Sequence, residues 1–332
     1  MAFNDILPKC SIAIDGNPVN QFISFSLSQG IFEHQYFRLI CRADAIDKAG
    51  GILSQSKKLL GTTLTAQINS LQPKTVGGLK FKGIVMNVEA EKFGNSDGDI
   101  VISGYSATVL LDSGPHCKTW EKKAIKNIAQ DVLKHFPQNV LNPKINPIYP
   151  ETLAYYTQYQ ETAWRLLHRI CSTYGEWLYF DGERLVIGPP EGKTVPLIFG
   201  THLSRFSLAL QVRPANMQVM AYDYMNNQVY NSNPNSVESK AGLNDLGKEV
   251  YKASQAVYSS SPKMWNNHFL TNKKQLDDTV NIQAAMRSSN HVRFNGSSKH
   301  PGIAVAGKIS VTGNSLSDGV SYGDYTVISV NH

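Results

Sequence analysis

Cysteine, clustered histidine and long apolar runs are what this 332-residue sequence has little of. Its four cysteines stand at 10, 41, 117 and 171, and no two form the C-x-x-C spacing of a metal or redox site. Cys41 ends an apolar strand signal and Cys171 falls on the apolar face of a helical one. Both therefore read as buried free thiols of a chain made in a reducing, cytosolic compartment. The nine histidines are dispersed, with none in H-E-x-x-H or at another i, i+4 ligand spacing. No apolar stretch approaches the ~18–20 residues a membrane helix needs. Met1–Cys10 carries Asp5, Pro8 and Lys9 where a signal peptide requires unbroken apolar residues, so no Sec-type export is expected.

What is present is globular. Hydrophobic residues make up 42% of the chain, which excludes a wholly disordered polymer, and the length suits two or three domains. Lys and Arg number 32 against 26 Asp and Glu, a net charge of +6. The excess is spread thinly: residues 1–112 carry 10 basic and 10 acidic side chains, 113–195 carry 10 and 8, and 196–332 carry 12 and 8. The basic residues come singly or in pairs such as Lys57-Lys58 and Lys122-Lys123, with carboxylates nearby. A nucleic-acid binder concentrates them on one face, so no nucleic-acid partner is expected.

Residues 1–112 alternate apolar and polar in about six short runs, among them Cys10–Ile14, Phe22–Leu27, Tyr36–Cys41 and Phe81–Val88. Turn residues at Gly77-Gly78 and Gly94–Gly98 separate them, and the pattern predicts a sandwich or a small barrel. At Thr119 the period changes. Thr119 is placed to cap a helix carrying Ile125, Ile128, Ala129, Val132, Leu133 and Phe136 on one face. A second helix carries Ala163, Leu166, Leu167, Ile170, Cys171 and Tyr174, with Gly175 at its stop. Trp177–Phe180 and Arg184–Ile187 then form a hairpin around Asp181-Gly182. Strand signals return after a linker at Gly188–Gly192. Between Asn226 and Asn272 the pattern lapses: nine Asn and seven Ser fill the tract, which predicts a partly ordered excursion. A helix over Leu276–Ser289 points Leu276, Val280, Ala284 and Ala285 inward, and strands follow at 302–312 and 322–330. The expected fold is a β-rich α+β chain. It comprises one barrel over 1–112, an α+β domain over 113–192, and a second barrel over 193–332 with an insertion at about 226–290.

No catalytic set emerges. Gly104-Tyr-Ser106 begins like a nucleophile elbow but lacks the second glycine. Gly188–Thr194 resembles a phosphate loop, yet it has three residues between its glycines, two of them prolines without an N–H. His116-Cys117 are sequence neighbours whose side chains diverge, and Asp277-Asp278 and Glu89/Glu91 read as a helix start and a solvent face. Asn295-Gly-Ser297 matches a glycosylation sequon without an export signal. No catalytic, cofactor-binding or metal-binding residue is assigned, and the chain is read as a non-enzyme. Trp120, Trp164 and Trp177 sit in apolar patterns and read as core, which disfavours a carbohydrate-binding β module; a cell-wall hydrolase lacks its motifs.

Tyr159–Phe180, with Glu161, Arg169 and Gly175 in its frame, resembles a motif block of VgrG spike proteins and their phage late-control D and baseplate hub relatives. Phe32–Leu39, Leu59–Leu64, Phe81–Val88 and Gly104–Asp112 resemble that family's first barrel in order and spacing. The resemblance covers residues 20–190 by sequence and the remainder by architecture. It implies a hub of two similar barrels per chain, three chains forming a pseudo-sixfold ring on a hexameric inner tube of the haemolysin-coregulated type. Further implied partners are a spike domain or tip protein, baseplate proteins and secreted effectors. Type VI secretion is the implied machine, with a phage or phage-like tail hub as the alternative. The chain would assemble in the bacterial cytoplasm and leave through the contractile apparatus. No short β-helix repeat occurs, so the resemblance extends to the hub and not to the puncturing spike.

Overall fold

Alternation in the first hundred residues becomes one antiparallel sheet. The computed structural model describes residues 8–47, 53–71, 78–92, 94, 98–192, 194–235, 237–266, 270, 272–313 and 320–332; the expected turns at Gly77 and 95–97 lie outside these. Strands β1 (Pro8–Ile14), β2 (Asn17–Val19), β3 (Ser24–Gly30), β4 (Tyr36–Arg42), β5 (Thr63–Ser70), β6 (Leu79–Glu91) and β7 (Asp99–Ser106) pair in the order β2-β1-β5-β6-β7-β4-β3. Period two puts Phe37, Leu39, Cys41, Leu64, Phe81, Ile100 and Ile102 on one face, where all are buried. Burial pushes the Cys41 thiol up to about 11, which fits an unreactive core thiol.

After β4 the chain makes one helical turn, α1 (Ala43–Ile46), and Asp47 then anchors the loop that follows. Its buried carboxylate accepts from the Leu53, Gln55 and Ser56 amides at 2.8, 2.8 and 2.7 Å and from Ser56 Oγ at 2.9 Å. Burial alone would raise its pKa; the four donors outweigh that and hold it below the ordinary carboxylate range. This stabilisation is present in full above the unfolded carboxyl pKa of about 4 and is lost as pH falls through the lower folded value. Asp47→Asn is expected to cost about 2–4 kcal/mol at pH 7. The melting-temperature gap between wild type and variant should close below pH 4; a gap independent of pH would remove the ionised carboxylate from this account.

The middle of the chain is a helical layer on small strands. Its elements are β8 (His116–Ala124), α2 (Ile125–Leu133), α3 (Gln138–Leu141), β9 (Lys144–Ile145), β10 (Thr152–Glu161), α4 (Ala163–Tyr174), β11 (Leu178–Phe180) and β12 (Leu185–Ile187). Helix α4 follows its sequence pattern: Thr162 Oγ1 accepts from Arg165 N, Ala163, Leu166, Leu167, Ile170 and Cys171 are buried, and Gly175 ends it at φ +70°. The start of α2 does not. Thr119 lies in β8 opposite Thr157, and the helix begins six residues later, because β10 offers Trp120 a buried cross-strand partner in Tyr156. The β11–β12 hairpin turns as expected, with Asp181 Oδ1 accepting from Glu183 N at 3.0 Å and Arg184 N at 2.7 Å. Gly182, at φ +106°, lies so close to Lys80 O that a Cβ would stand 2.0 Å from it.

The C-terminal part is divided among three sheets. Strands β13 (Thr194–Ile198), β14 (Leu203–Leu210), β15 (Gln218–Asp223) and β16 (Gln228–Ser232) lead into helices α5 (Val237–Lys240) and α6 (Asp245–Val257). Then come β17 (Lys263–Trp265), α7 (Lys273–Ser288), β18 (Val292–Ser298), β19 (Lys308–Thr312), β20 (Ser321–Thr326) and β21 (Ser329–Asn331). The sheets are β13-β19-β20, β14-β18 and β16-β15-β17, while β21 crosses to pair with β3 as the eighth strand of the first sheet. The architecture is β-rich α+β with several sheets. Among the described residues neither expected barrel closes by hydrogen bonding: the first sheet ends at β2 and β21, and the C-terminal strands split.

The tract 226–272 is more regular than its composition predicts. Helix α6 buries Gly247, Val250 and Ser254, small groups that an apolar count misses, and Asn244 and Asn272 cap α6 and α7. Leu276, Val280 and Ala284 are buried as expected, whereas Ala285 is half-buried.

Candidate docking surfaces

Three of the tracts that carry the resemblance meet in one hydrogen-bond line between the first sheet and the helical layer, buried at Gln35, Ser106 and Thr108 and open to solvent at Asp112. Ile31–Gln35 connects β3 to β4 against the helical layer, with Phe32 held at φ +58° and its amide donating to Leu178 O at 2.8 Å. Gln35 N donates to Ser106 Oγ at 3.1 Å, Ser106 Oγ lies 2.8 Å from Thr108 Oγ1, and Thr108 Oγ1 lies 2.8 Å from His34 Nδ1. His34 Nε2 stands 2.9 Å from Asp112 Oδ2, and Thr162 Oγ1 donates to Asp112 Oδ1 at 2.5 Å. Each hydroxyl can donate onward to the next acceptor, so the line is continuous from Gln35 N to Asp112. Burial alone would raise the Asp112 carboxyl; Thr162 and His34 outweigh it and hold it low. Fully buried Gln35 adds a branch, its amide donating to Phe180 O while Oε1 accepts from Gln29 Nε2 at 2.9 Å.

An acid–imidazole–hydroxyl series is the order of a nucleophile relay, but the Thr108 hydroxyl is fully buried and no substrate reaches it. Its role is to fix two layers in one register. His34 also lies tilted against Trp164, ring centroids 4.3 Å apart, and Phe32 meets His168 edge-on at 5.1 Å. Reading the sequence for catalytic spacing missed this set, because its members are scattered from residue 29 to 180. The signal that was available is their presence inside the family-like tracts.

Of the motifs weighed for chemistry, Ser106 is buried in the line just described and the others fall elsewhere. His116 and Cys117 lie exposed on β8, where neighbouring residues face opposite ways. The Gly188–Gly192 linker leads into strand β13 and not into a helix, with Lys193 outside the described residues. Asp277 lies in the second turn of α7, bonded by Lys273 and by Ser232 Oγ at 2.6 Å. Glu91 faces Arg38 at 3.7 Å, and Asn295–Ser297 is part of β18. Among the described residues no three His, Cys, Asp or Glu side chains gather as a metal site. A cleft of about 680 Å³ beside β1, α1 and Lys58 is open and lined by both Asp15 and Asp44 and that lysine.

The outer surface is different, because it keeps aromatic groups in water. Tyr36 and Tyr105, opposite each other on β4 and β7, pair at 5.3 Å on the outer face of the first sheet. Met86 stands exposed at the bulge of β6. A larger group lies on the outward face of β16-β15-β17, where Tyr222 opposes Val229 and Trp265 opposes Met220. Trp120 and Trp164 are buried as expected and Trp177 is half-buried, so Trp265 is the exposed tryptophan. Solvent-facing aromatic and methionine side chains thus form two patches on the outer surface.

The sequence profile of the phage tail baseplate hub (GPD) family matches residues 53–332. The chain belongs to that family, whose members are structural and non-enzymatic. Among solved structures it resembles the 43 kDa tail protein of prophage MuSo2 from Shewanella oneidensis, with a TM-score of 0.63 at 14% identity over 97% of this chain and 93% of that one. It also resembles a tail protein from Neisseria meningitidis MC58, with a TM-score of 0.60 at 13% identity over 98% and 91%. A third likeness is to the Escherichia coli c3393 protein, a type VI secretion component described as similar to the T4 tail proteins gp27 and gp5. That TM-score is 0.57 at 11% identity, over 96% of this chain and 72% of that one. Comparison with curated protein sequences gave no match. The chain is thus a structural protein of the phage tail baseplate hub family.

Proposed function

We propose that three copies of this chain form a ring that adapts a hexameric inner tube to a spike, in a phage-type contractile tail. The family match over residues 53–332 carries this reading, and the mutual coverage with the two prophage tail proteins favours the tail over the secretion machine. Residues 1–112 and 193–332 serve as the two ring-forming units of each chain, so that three chains present six units to six tube subunits. Ring closure then uses heterologous contacts between different faces of neighbouring chains. A VgrG-type hub in type VI secretion is the second reading, favoured by the likeness to the c3393 protein. In either machine the chain assembles in the bacterial cytoplasm and travels with the apparatus. Native mass spectrometry of the chain bound to its spike is expected to give three copies; a stable dimer or tetramer there would overturn the ring.

A further inference from the structure

Strand β18 is held at each end by histidines to which the hub reading gives no part. At its start stands His291, fully buried among α6, α7 and the segment that follows β14. His291 O accepts from Gln211 N at 2.8 Å, closing that end of the β14–β18 ribbon. The ring Nε2 lies 3.3 Å from Arg213 O, which can only accept, so Nε2 carries the proton. Ser254 Oγ, 3.5 Å away, gives its own proton to Val250 O. Nδ1 is buried and has no partner among the described residues.

At the other end a pair of imidazoles ties the loops that flank the ribbon. His300 Nδ1 accepts from Gly302 N at 3.1 Å, and His202 Nδ1 accepts from Ile198 N at 3.3 Å. Ser298 Oγ joins the two loops, donating to His202 O at 2.7 Å and accepting from His300 N at 3.1 Å. The two rings stand edge to face with centroids 6.2 Å apart. An Nδ1 that accepts a hydrogen bond carries no proton, so both imidazoles are neutral with the proton on Nε2. That tautomer leaves Nε2 no lone pair to offer a metal ion. A proton added at either Nδ1 would instead face a backbone N–H, donor against donor.

Neither His291 nor His300 meets a carboxylate among the described residues. Residues 192–222 and 279–317, which contain the whole ribbon and its flanking loops, hold no Asp or Glu. His291 faces the cationic Arg213 and, at 6.1 Å, the ring of Tyr251; Glu238, which acts on Tyr251, is exposed on α5. His300 faces His202 and has exposed Lys299 as its chain neighbour. On β19 and β20, Lys308 and Asp324 lie on the outward face, because Ile309 and Val311 turn inward. Burial holds both His291 and His300 below the ordinary histidine range, and His202 adds to the lowering at His300. We propose that β18 is a proton-operated latch, in which protonation of His291 and His300 frees the β14–β18 ribbon from α6 and from the β13-β19-β20 sheet. The latch works within a single chain, so it stands or falls apart from the ring. Above the free imidazole pKa of about 6.5 neither the closed nor the open ribbon binds these protons, and the latch holds at full strength. As pH falls below that, the open ribbon takes protons that the closed one refuses, until the closed rings titrate too.

The test is hydrogen–deuterium exchange of the full chain between about pH 7.5 and 5, corrected for the intrinsic exchange rate. Protection of β14 and β18 is expected to fall below pH 6.5 by about tenfold per pH unit for each histidine, so up to about a hundredfold for the pair. His332 is also lowered by burial, but it bonds to Leu27 and is read in a separate peptide. His300→Asn keeps an acceptor near Nδ1 and His291→Gln keeps a donor near Nε2, and neither side chain titrates. The double variant is expected to hold its ribbon protection level over the same range. Wild-type protection that does not change with pH overturns the latch, and so does a fall that the double variant shares. Nuclear magnetic resonance titration of the wild-type imidazoles needs no substitution and covers a variant that fails to fold. His291 and His300 are expected to titrate below 6.5, and a midpoint at or above 6.5 for either ring overturns its part in the latch.

Discussion

Leu167→Asp is expected to abolish the folded helical layer at 25 °C. Leu167 is fully buried on α4 within the cluster that joins Trp120, Ile125, Ile128, Leu153, Trp164 and Phe180. A carboxylate there has no basic partner in that apolar cluster, so the chain must ionise it in apolar surroundings, protonate it or open the layer. Each costs several kcal/mol, comparable to the total stability of a domain. Leu167→Ala, which leaves only a cavity, should cost about 2–5 kcal/mol and keep a folded, lower-melting protein. Near-ultraviolet circular dichroism reads the outcome through Trp120 and Trp164. An aspartate variant that melts at the wild-type temperature would place this face of α4 in solvent and refute the packing described.

Gln35→Leu tests the connection between layers. Its side chain is completely buried, and the substitution leaves Phe180 O and the Gln29 amide without their partner, at about 1–3 kcal/mol for each stranded group. The expected loss is about 2–5 kcal/mol, a fall of roughly 5–15 °C. Calorimetry offers a sharper criterion than the midpoint. If this network fixes the first sheet against the helical layer, the variant should unfold in two separated transitions. A single transition with an unchanged midpoint would reduce Gln35 to a packing residue.

Helix α4 was legible in the sequence because its apolar stripe and terminal glycine agree locally, while its Thr162 cap emerged only in the structure. The six early strands were legible because one face of an antiparallel sheet is buried and the other is not, so the period of two is written plainly. Thr119 misled for a tertiary reason: Trp120 gains more by pairing with Tyr156 across β10 than a capped helix would gain locally. The tract 226–272 misled because α6 packs on small groups, Gly247 and Ser254, that carry little hydrophobic signal. Its exposed aromatic face was invisible for a related reason, since a period-two pattern does not say which of two apolar faces meets a helix. Closure of the expected barrels depends on pairing between distant strands, which no local pattern records. The buried polar line was half legible. Its residues lie in the family-like tracts, but their meeting depends on contacts such as Gln35 to Phe180, 145 positions apart.

Strand β21 has a consequence for the birth of the molecule. Residues 329–331 complete the edge of a sheet whose other strands lie within residues 8–106, and His332 exchanges backbone hydrogen bonds with Leu27 at 2.9 and 3.0 Å. On a ribosome adding about 5–20 residues per second, β3 emerges roughly 15–60 s before its partner is made. For that interval its donors and acceptors on that edge face solvent as an open template for other chains. The serines at 24, 26 and 28, on the exposed side of β3, keep the waiting strand polar. The edge of the first sheet is therefore closed by a strand made some 300 residues later, and a contact of such long range makes final folding slow relative to local helix formation.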